Sequence, residues 1–192
     1  DSLYKQYDDL SVYFSGKLKR DDKSTLSPIV RKNLDALLKR YPKSVDCFDI
    51  GILNQLAIAR GCNVFISPHT GFAFAVLTVG TPWLTISGGP WPEYFYNDIP
   101  FYSVLPDPKK YPCYIDGYNE KTIQDNGERV VSMSSQRIKE DLSRIIRASK
   151  ILINKKWSYQ TCLKSHFKKL TKFYNGDTSR IWFFDNVHSG FI

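Results

Sequence analysis

The residues Ser67-Pro68-His69-Thr70-Gly71-Phe72 bring a hydroxyl, an imidazole and a glycine to the point where one apolar run, Val64-Phe65-Ile66, ends and another begins. A chain that passes from a buried strand through such a turn into a helix creates an anion site. The first N–H groups of a helix have no intrahelical acceptor, and the helix dipole places partial positive charge beside them. Amides near Thr70, Gly71 and Phe72 would point at a phosphate, and Gly71, having no Cβ, would let it approach the backbone. The same residues also fit a local role, in which Thr70 caps the helix and Gly71 relieves crowding. His69 could contact a phosphate or a sugar hydroxyl, or serve as a polar turn residue.

The elements that would hold this turn are legible on either side of it. Leu10-Ser11-Val12-Tyr13-Phe14 is β-branched and aromatic and reads as a strand that gives way at Ser15-Gly16 to a loop, the basic Lys17-Leu18-Lys19-Arg20. Ser27 with Pro28 predicts a helix start, and Val30, Leu34, Leu37, Leu38 and Tyr41 repeat at helical spacing. Residues 45–48 suit a strand, and Asp49 suits the cap of a helix that runs to Arg60 with Leu53, Leu56 and Ala57 inward and Gly61 as its stop. Cys62 to Ser67 reads as a central strand, Gly71 to Val79 as a buried helix broken by Gly80-Thr81-Pro82, and residues 83–86 and 101–105 as further strands. Alternating strands and helices predict an α/β fold, a Rossmann-like doubly wound parallel sheet. The loop from Gly88 to Tyr96, rich in proline and aromatics, would line a ligand crevice at the carboxyl ends of the strands, where Glu93 could bind sugar or ribose hydroxyls.

The C-terminal third, about residues 134–192, changes to helices. Ile138, Leu142, Ile145, Ile146 and Leu152 form one stripe, and Tyr159, Cys162, Leu163, His166, Phe167, Leu170 and Tyr174 form a second, with His166 as a packing residue. Lys164, Lys168, Lys169 and Lys172 stand opposite the second stripe, where they could meet anionic lipid, nucleic acid or water.

A chain of 192 residues with 42% hydrophobic content is enough for one packed domain, and we read residues 1–192 as a single α/β unit with a helical extension. The formal charge of +8 favours an anionic partner: a nucleotide diphosphate, a nucleic acid or an acidic membrane surface. The four cysteines lack Cys-x-x-Cys spacing, which disfavours zinc and thioredoxin-type chemistry and suits reduced, buried thiols. The apolar region from Cys62 to Gly88 is interrupted by Ser67, Pro68, His69 and Pro82, short of the roughly 20 apolar residues that cross a bilayer. The chain opens at Asp1 with no leader signature, so a trimmed cytoplasmic protein, peripheral at most to the inner face of a membrane, is expected.

The run from Ser67 to Leu84, with its turn, its small-residue helix and its Gly80-Thr81-Pro82 break before an apolar strand, resembles the donor-domain core of glycosyltransferase family nine, the bacterial heptosyltransferases. The clear match covers about residues 45–106, and a weaker one reaches Leu10 to Arg20. At two positions of the pattern the chain differs: His69 stands where an acidic residue is usual, and Phe74 where a histidine is usual. The resemblance implies the C-terminal, nucleotide-sugar-binding half of a GT-B fold, with the acceptor domain outside this chain. It also implies a glycosyltransferase acting without metal, in keeping with the lack of any Asp-x-Asp. Ser15, Gly16, Lys17, Lys19 and Arg20 would then lie against the diphosphate, with His69, Thr70, Gly71, Phe72 and Glu93 completing the donor site. The basic side chains would stabilise the departing nucleotide. A glycan or glycolipid acceptor would be held by the other domain, which would also supply the catalytic base, so this chain alone would transfer no sugar. A noncatalytic nucleotide-binding module of the same fold is the first alternative. A basic nucleic-acid-binding domain, supported by charge and by 15% aromatic content but by no motif, ranks third.

Overall fold

The computed structural model describes residues 1–20, 26–27, 29–91, 98–111 and 131–181. Among these residues it is a mixed α/β structure with five strands in two small parallel sheets, six helices and two short 3₁₀ turns. The chain divides into two compact units, Asp1–Gly61 and Cys62–Ile192.

The first unit is a β-α-β crossover followed by a helix. Strand β1 (Val12–Gly16) pairs in parallel with β2 (Ser44–Phe48), in register from Val12 opposite Ser44 to Gly16 opposite Phe48. Helix α1 (Arg31–Arg40) connects them and buries Leu34 completely. Its N-cap is Val30, with no side-chain capping bond; the hydroxyl of Ser27, the residue expected to start the helix, instead accepts the Lys17 amide at 3.1 Å. The N-terminal segment is tied to the end of α1 by Tyr4, stacked on Tyr41 at 4.7 Å, and by the Asp1 carboxylate on Arg40.

Helix α2 (Ile52–Arg60) corrects two expectations. Its N-cap is Gly51, at φ 88°, and not Asp49. Leu53 is 77% exposed and Ala57 also faces out, while Ala59 is buried. The reason is polar. Gln55 turns inward, and its amide donates to the carbonyls of Gly16 at 2.9 Å and Cys47 at 2.8 Å, at the carboxyl ends of both strands. Satisfying two strand-end carbonyls fixes the helix face that carries Gln55 and Ala59 inward, against the weaker apolar pattern.

The second unit is a three-stranded parallel sheet in the order β3 (Phe65–Ser67), β4 (Trp83–Ile86), β5 (Phe101–Val104). Alternation along the strands sends Leu84 and Val104 to one face, where they meet Ile145, Ala148 and Leu152 of α5 (Leu142–Ile153). Trp83 and Phe101 go to the other face. There Trp83 packs on Ala73 and Leu77 of α3 (Gly71–Leu77), and Phe101 on Cys162, Leu163 and Phe167 of α6 (Tyr159–Phe173). His166 lies in this core as expected, fully buried and edge-on to Phe101 at 5.2 Å. The outer side of β5 is closed by Lys169, whose ammonium donates to the Ser103 carbonyl at 2.6 Å and lies 3.8 Å from the Tyr102 ring centroid. A charged side chain there blunts a strand edge.

The single stripe expected from Ile138 to Leu152 is two helices, α4 (Ser135–Glu140) and α5, broken at Asp141. Strand order in each sheet follows the sequence, and among the described residues neither sheet contains the reversal that defines a doubly wound sheet.

Candidate functional site

The turn after β3 is built on aromatic rings. Ser67 ends the strand, and its hydroxyl accepts the Trp83 indole N–H at 3.1 Å while donating to the Pro68 carbonyl at 2.8 Å. His69 sits half-buried among three rings, 5.6 Å from Trp83, 5.2 Å from Trp91 and stacked on Phe74 at 6.3 Å. His69 and Phe74 are thus in contact with each other.

Thr70 is the N-cap of α3, in extended conformation, and its hydroxyl accepts the Ala73 amide at 3.1 Å. The threonine hydroxyl is therefore committed to the helix. The amides of Gly71 and Phe72 have no acceptor among the described residues. Gly71 is exposed, and a Cβ placed on it would meet no atom within 4 Å. Phe72 turns back onto the strand, edge-on to Phe65 at 5.7 Å, so its contribution to the turn is its backbone.

The carboxyl ends of the neighbouring strands are covered. The Ser132 hydroxyl donates to the Gly88 carbonyl, just beyond β4, at 2.7 Å. Arg137, 1% exposed, spreads its guanidinium over the end of β5: it donates to the Ser132 carbonyl at 3.1 Å, to the Val104 carbonyl, and to the Asp141 carboxylate at 2.7 Å. Arg144 adds bonds to Asp141 at 2.7 Å and to the Leu105 carbonyl at 3.2 Å. A buried arginine with a carboxylate and two carbonyls has a partner on each of its three nitrogens, in the planar geometry the guanidinium requires. Among the described residues no comparable polar cover lies over the end of β3.

In the first unit, Ser15 and Gly16 are the last residues of β1 and not part of the loop, as they had been expected to be. The Ser15 hydroxyl is buried without a hydrogen-bond partner among the described residues. Gly16 is demanded by packing, because a Cβ there would collide with Ser27 and the Phe48 ring. Beyond it, the Leu18 and Lys19 amides both donate to the Asp49 carboxylate, at 3.0 and 3.2 Å. Consecutive amides converging on one oxygen form a nest of the kind that binds anions. Here the anion is the protein's own side chain. Partial desolvation opposes ionisation of Asp49, but the two amide bonds and the charges of Lys19 and Lys17 outweigh it and hold the carboxyl below its ordinary value. Asp49 keeps a left-handed backbone, φ 57°, to reach this position. Lys19 and Arg20 are exposed.

The expected site residues thus fall into two groups. His69, Thr70, Gly71 and Phe72 come together at one turn of the second unit; Ser15, Gly16, Lys17, Lys19 and Arg20 belong to the first; Glu93 lies outside the described residues. Asp49, Arg137 and Trp83 escaped the sequence reading as site-forming residues. The spacing of Arg137, Asp141 and Arg144, at i, i+4 and i+7, was the available signal for one of them. Cys47 and Cys162 are buried, and burial pushes the Cys62 and Cys162 thiols up, away from the nucleophilic thiolate. Among the described residues no group of His, Cys, Asp and Glu is arranged to hold a metal ion, and no helix is long and apolar enough to cross a membrane. No family model matches the chain, and no curated protein or solved structure matches it either.

Proposed function

We propose that this chain binds the diphosphate of a nucleotide sugar at the turn Ser67 to Phe72, as the donor half of a GT-B glycosyltransferase with a doubly wound sheet. The observation that carries the proposal is the pair of amides on Gly71 and Phe72 that have no acceptor among the described residues, beside an exposed position without a Cβ at the end of β3. Such amides bind anions without metal. The ring cluster of His69, Phe74, Trp83 and Trp91 holds the turn rigid beside them. The acceptor and the catalytic base would come from a second domain.

One observation favours the noncatalytic alternative, a nucleotide-binding module of the same fold. The basic loop that would stabilise the leaving group has its Leu18 and Lys19 amides occupied by Asp49 and its Lys17 amide by Ser27, so what it offers a ligand is chiefly the side chains of Lys17, Lys19 and Arg20. Release of nucleoside diphosphate from a panel of sugar nucleotides, measured with and without candidate acceptors, tests both readings, since each predicts no turnover by this chain alone. Acceptor-dependent turnover by these 192 residues alone would contradict the half-enzyme proposal and the noncatalytic one together.

A further inference from the structure

From Leu142 to Gly176, a stretch containing α5 and α6, there are nine Lys or Arg residues and no Asp or Glu, more positive charge than the whole chain's +8. On α6, Lys164, Lys168 and Lys172 follow one another at i, i+4 and i+8, all exposed, on the side opposite the buried Tyr159, His166, Leu170 and Phe173. None of these three lysines forms an ion pair among the described residues. Like charges at this spacing repel and weaken a helix, and a face kept only for water ordinarily intersperses glutamates. Lys169, by contrast, is used internally at the β5 edge.

We propose that the Lys164, Lys168 and Lys172 face of α6 is an adsorption surface for an anionic lipid bilayer. Its apolar stripe is wholly engaged in the core, so nothing remains to insert, and the attraction is electrostatic. The three cations are lysines, compact charges suited to the diffuse field of headgroups, and none is an arginine with the fork that reads bases and phosphodiesters. The helix offers no exposed ring for stacking on nucleobases, since Tyr159, Phe167 and Phe173 are buried. Lys155 and Lys156, exposed in the connection between α5 and α6, extend the positive field along the same stretch. The surface stands independently of nucleotide binding at the β3 turn.

The test is co-sedimentation of the full chain with vesicles of phosphatidylcholine alone and of phosphatidylcholine mixed with phosphatidylglycerol, at near-physiological and at high salt. The expected result is binding to the anionic vesicles only, released by salt, with K164E/K168E/K172E lowering the partition coefficient at least about tenfold. K164Q/K168Q/K172Q, which removes charge without adding any, should lower it in the same direction and serves if the reversal variant does not fold. Equal binding to neutral vesicles, no binding to anionic ones, or undiminished binding by a folded variant would overturn the proposal. So would an oligonucleotide captured at the same salt whose binding falls more than vesicle binding in the variants, an outcome that reassigns the face to nucleic acid.

Discussion

Gly71→Ala separates the stability of the β3 turn from its proposed use. Gly71 is the first residue of α3, its φ lies outside the left-handed region, and an added Cβ would meet no atom within 4 Å. Nothing in the fold needs a glycine here. Replacing it with alanine removes conformations from the unfolded chain and should raise the unfolding free energy by about 0.4–1 kcal/mol. For a protein of this size that is a rise in Tm of roughly 1–4 °C. The same methyl group would occupy the approach to the Gly71 and Phe72 amides. Losing one charge-assisted hydrogen bond costs about 1.5–3 kcal/mol, so nucleoside diphosphate affinity should fall roughly 10- to 150-fold. Urea denaturation gives the first quantity and calorimetric titration the second. A variant that is more stable and binds as tightly as the parent would refute the phosphate role and leave the turn a helix cap. A variant destabilised by more than about 1 kcal/mol would instead contradict the conformation of the turn.

Three further outcomes follow from other parts of the molecule. Gly16→Ala should destabilise by about 1–3 kcal/mol in urea denaturation, because Ser27 and the Phe48 ring leave no room; an unchanged midpoint would show that they move aside freely. Arg137→Met should cost about 2–4 kcal/mol by removing the donor to the Ser132 carbonyl and leaving Asp141 with Arg144 alone, and Arg137→Lys should not restore it, since an ammonium cannot span three acceptors in a plane. The Lys110 ammonium, 2.6 Å away, with Gln136 adding a weaker bond, lowers the Glu140 carboxyl to about 2. A depressed folded-state value means stability present above the unfolded value of 4.5 and lost as pH falls toward 2, so Glu140→Gln should flatten that part of the acid limb in pH-dependent melts, and an unaltered limb would contradict the pairing.

The element order was readable where local chemistry and tertiary packing agreed. Val12 to Gly16, Phe65 to Ser67 and Trp83 to Ile86 are apolar and β-branched or aromatic, and each forms a strand within two or three residues of expectation. Ser158, a residue with a strong capping preference before an amphipathic run, starts α6 with its hydroxyl on the Thr161 amide. What was not readable depended on partners distant in sequence. Asp49 has the composition of a helix cap, yet the Leu18 and Lys19 amides, some 30 residues earlier, claim its carboxylate. Gln55 looks like a solvent-facing residue until two strand-end carbonyls need a donor. Asp141 splits a continuous apolar stripe because Arg137 and Arg144 hold it from both sides. The turn at Ser67 was found by its residue types, but the ring cluster around His69 draws on Trp83 and Trp91, and no local pattern announces that convergence. Whether the sheets join as one doubly wound sheet is a property of long-range strand pairing, which periodicity does not encode.

The most direct test of the central claim is calorimetric titration of the intact chain with a panel of nucleoside diphosphates, in the presence and absence of a metal chelator. The account predicts saturable binding of at least one of them, unchanged by the chelator and lost in Gly71→Val. No binding across the panel, binding abolished by the chelator, or binding undiminished in a folded Gly71→Val protein would contradict it.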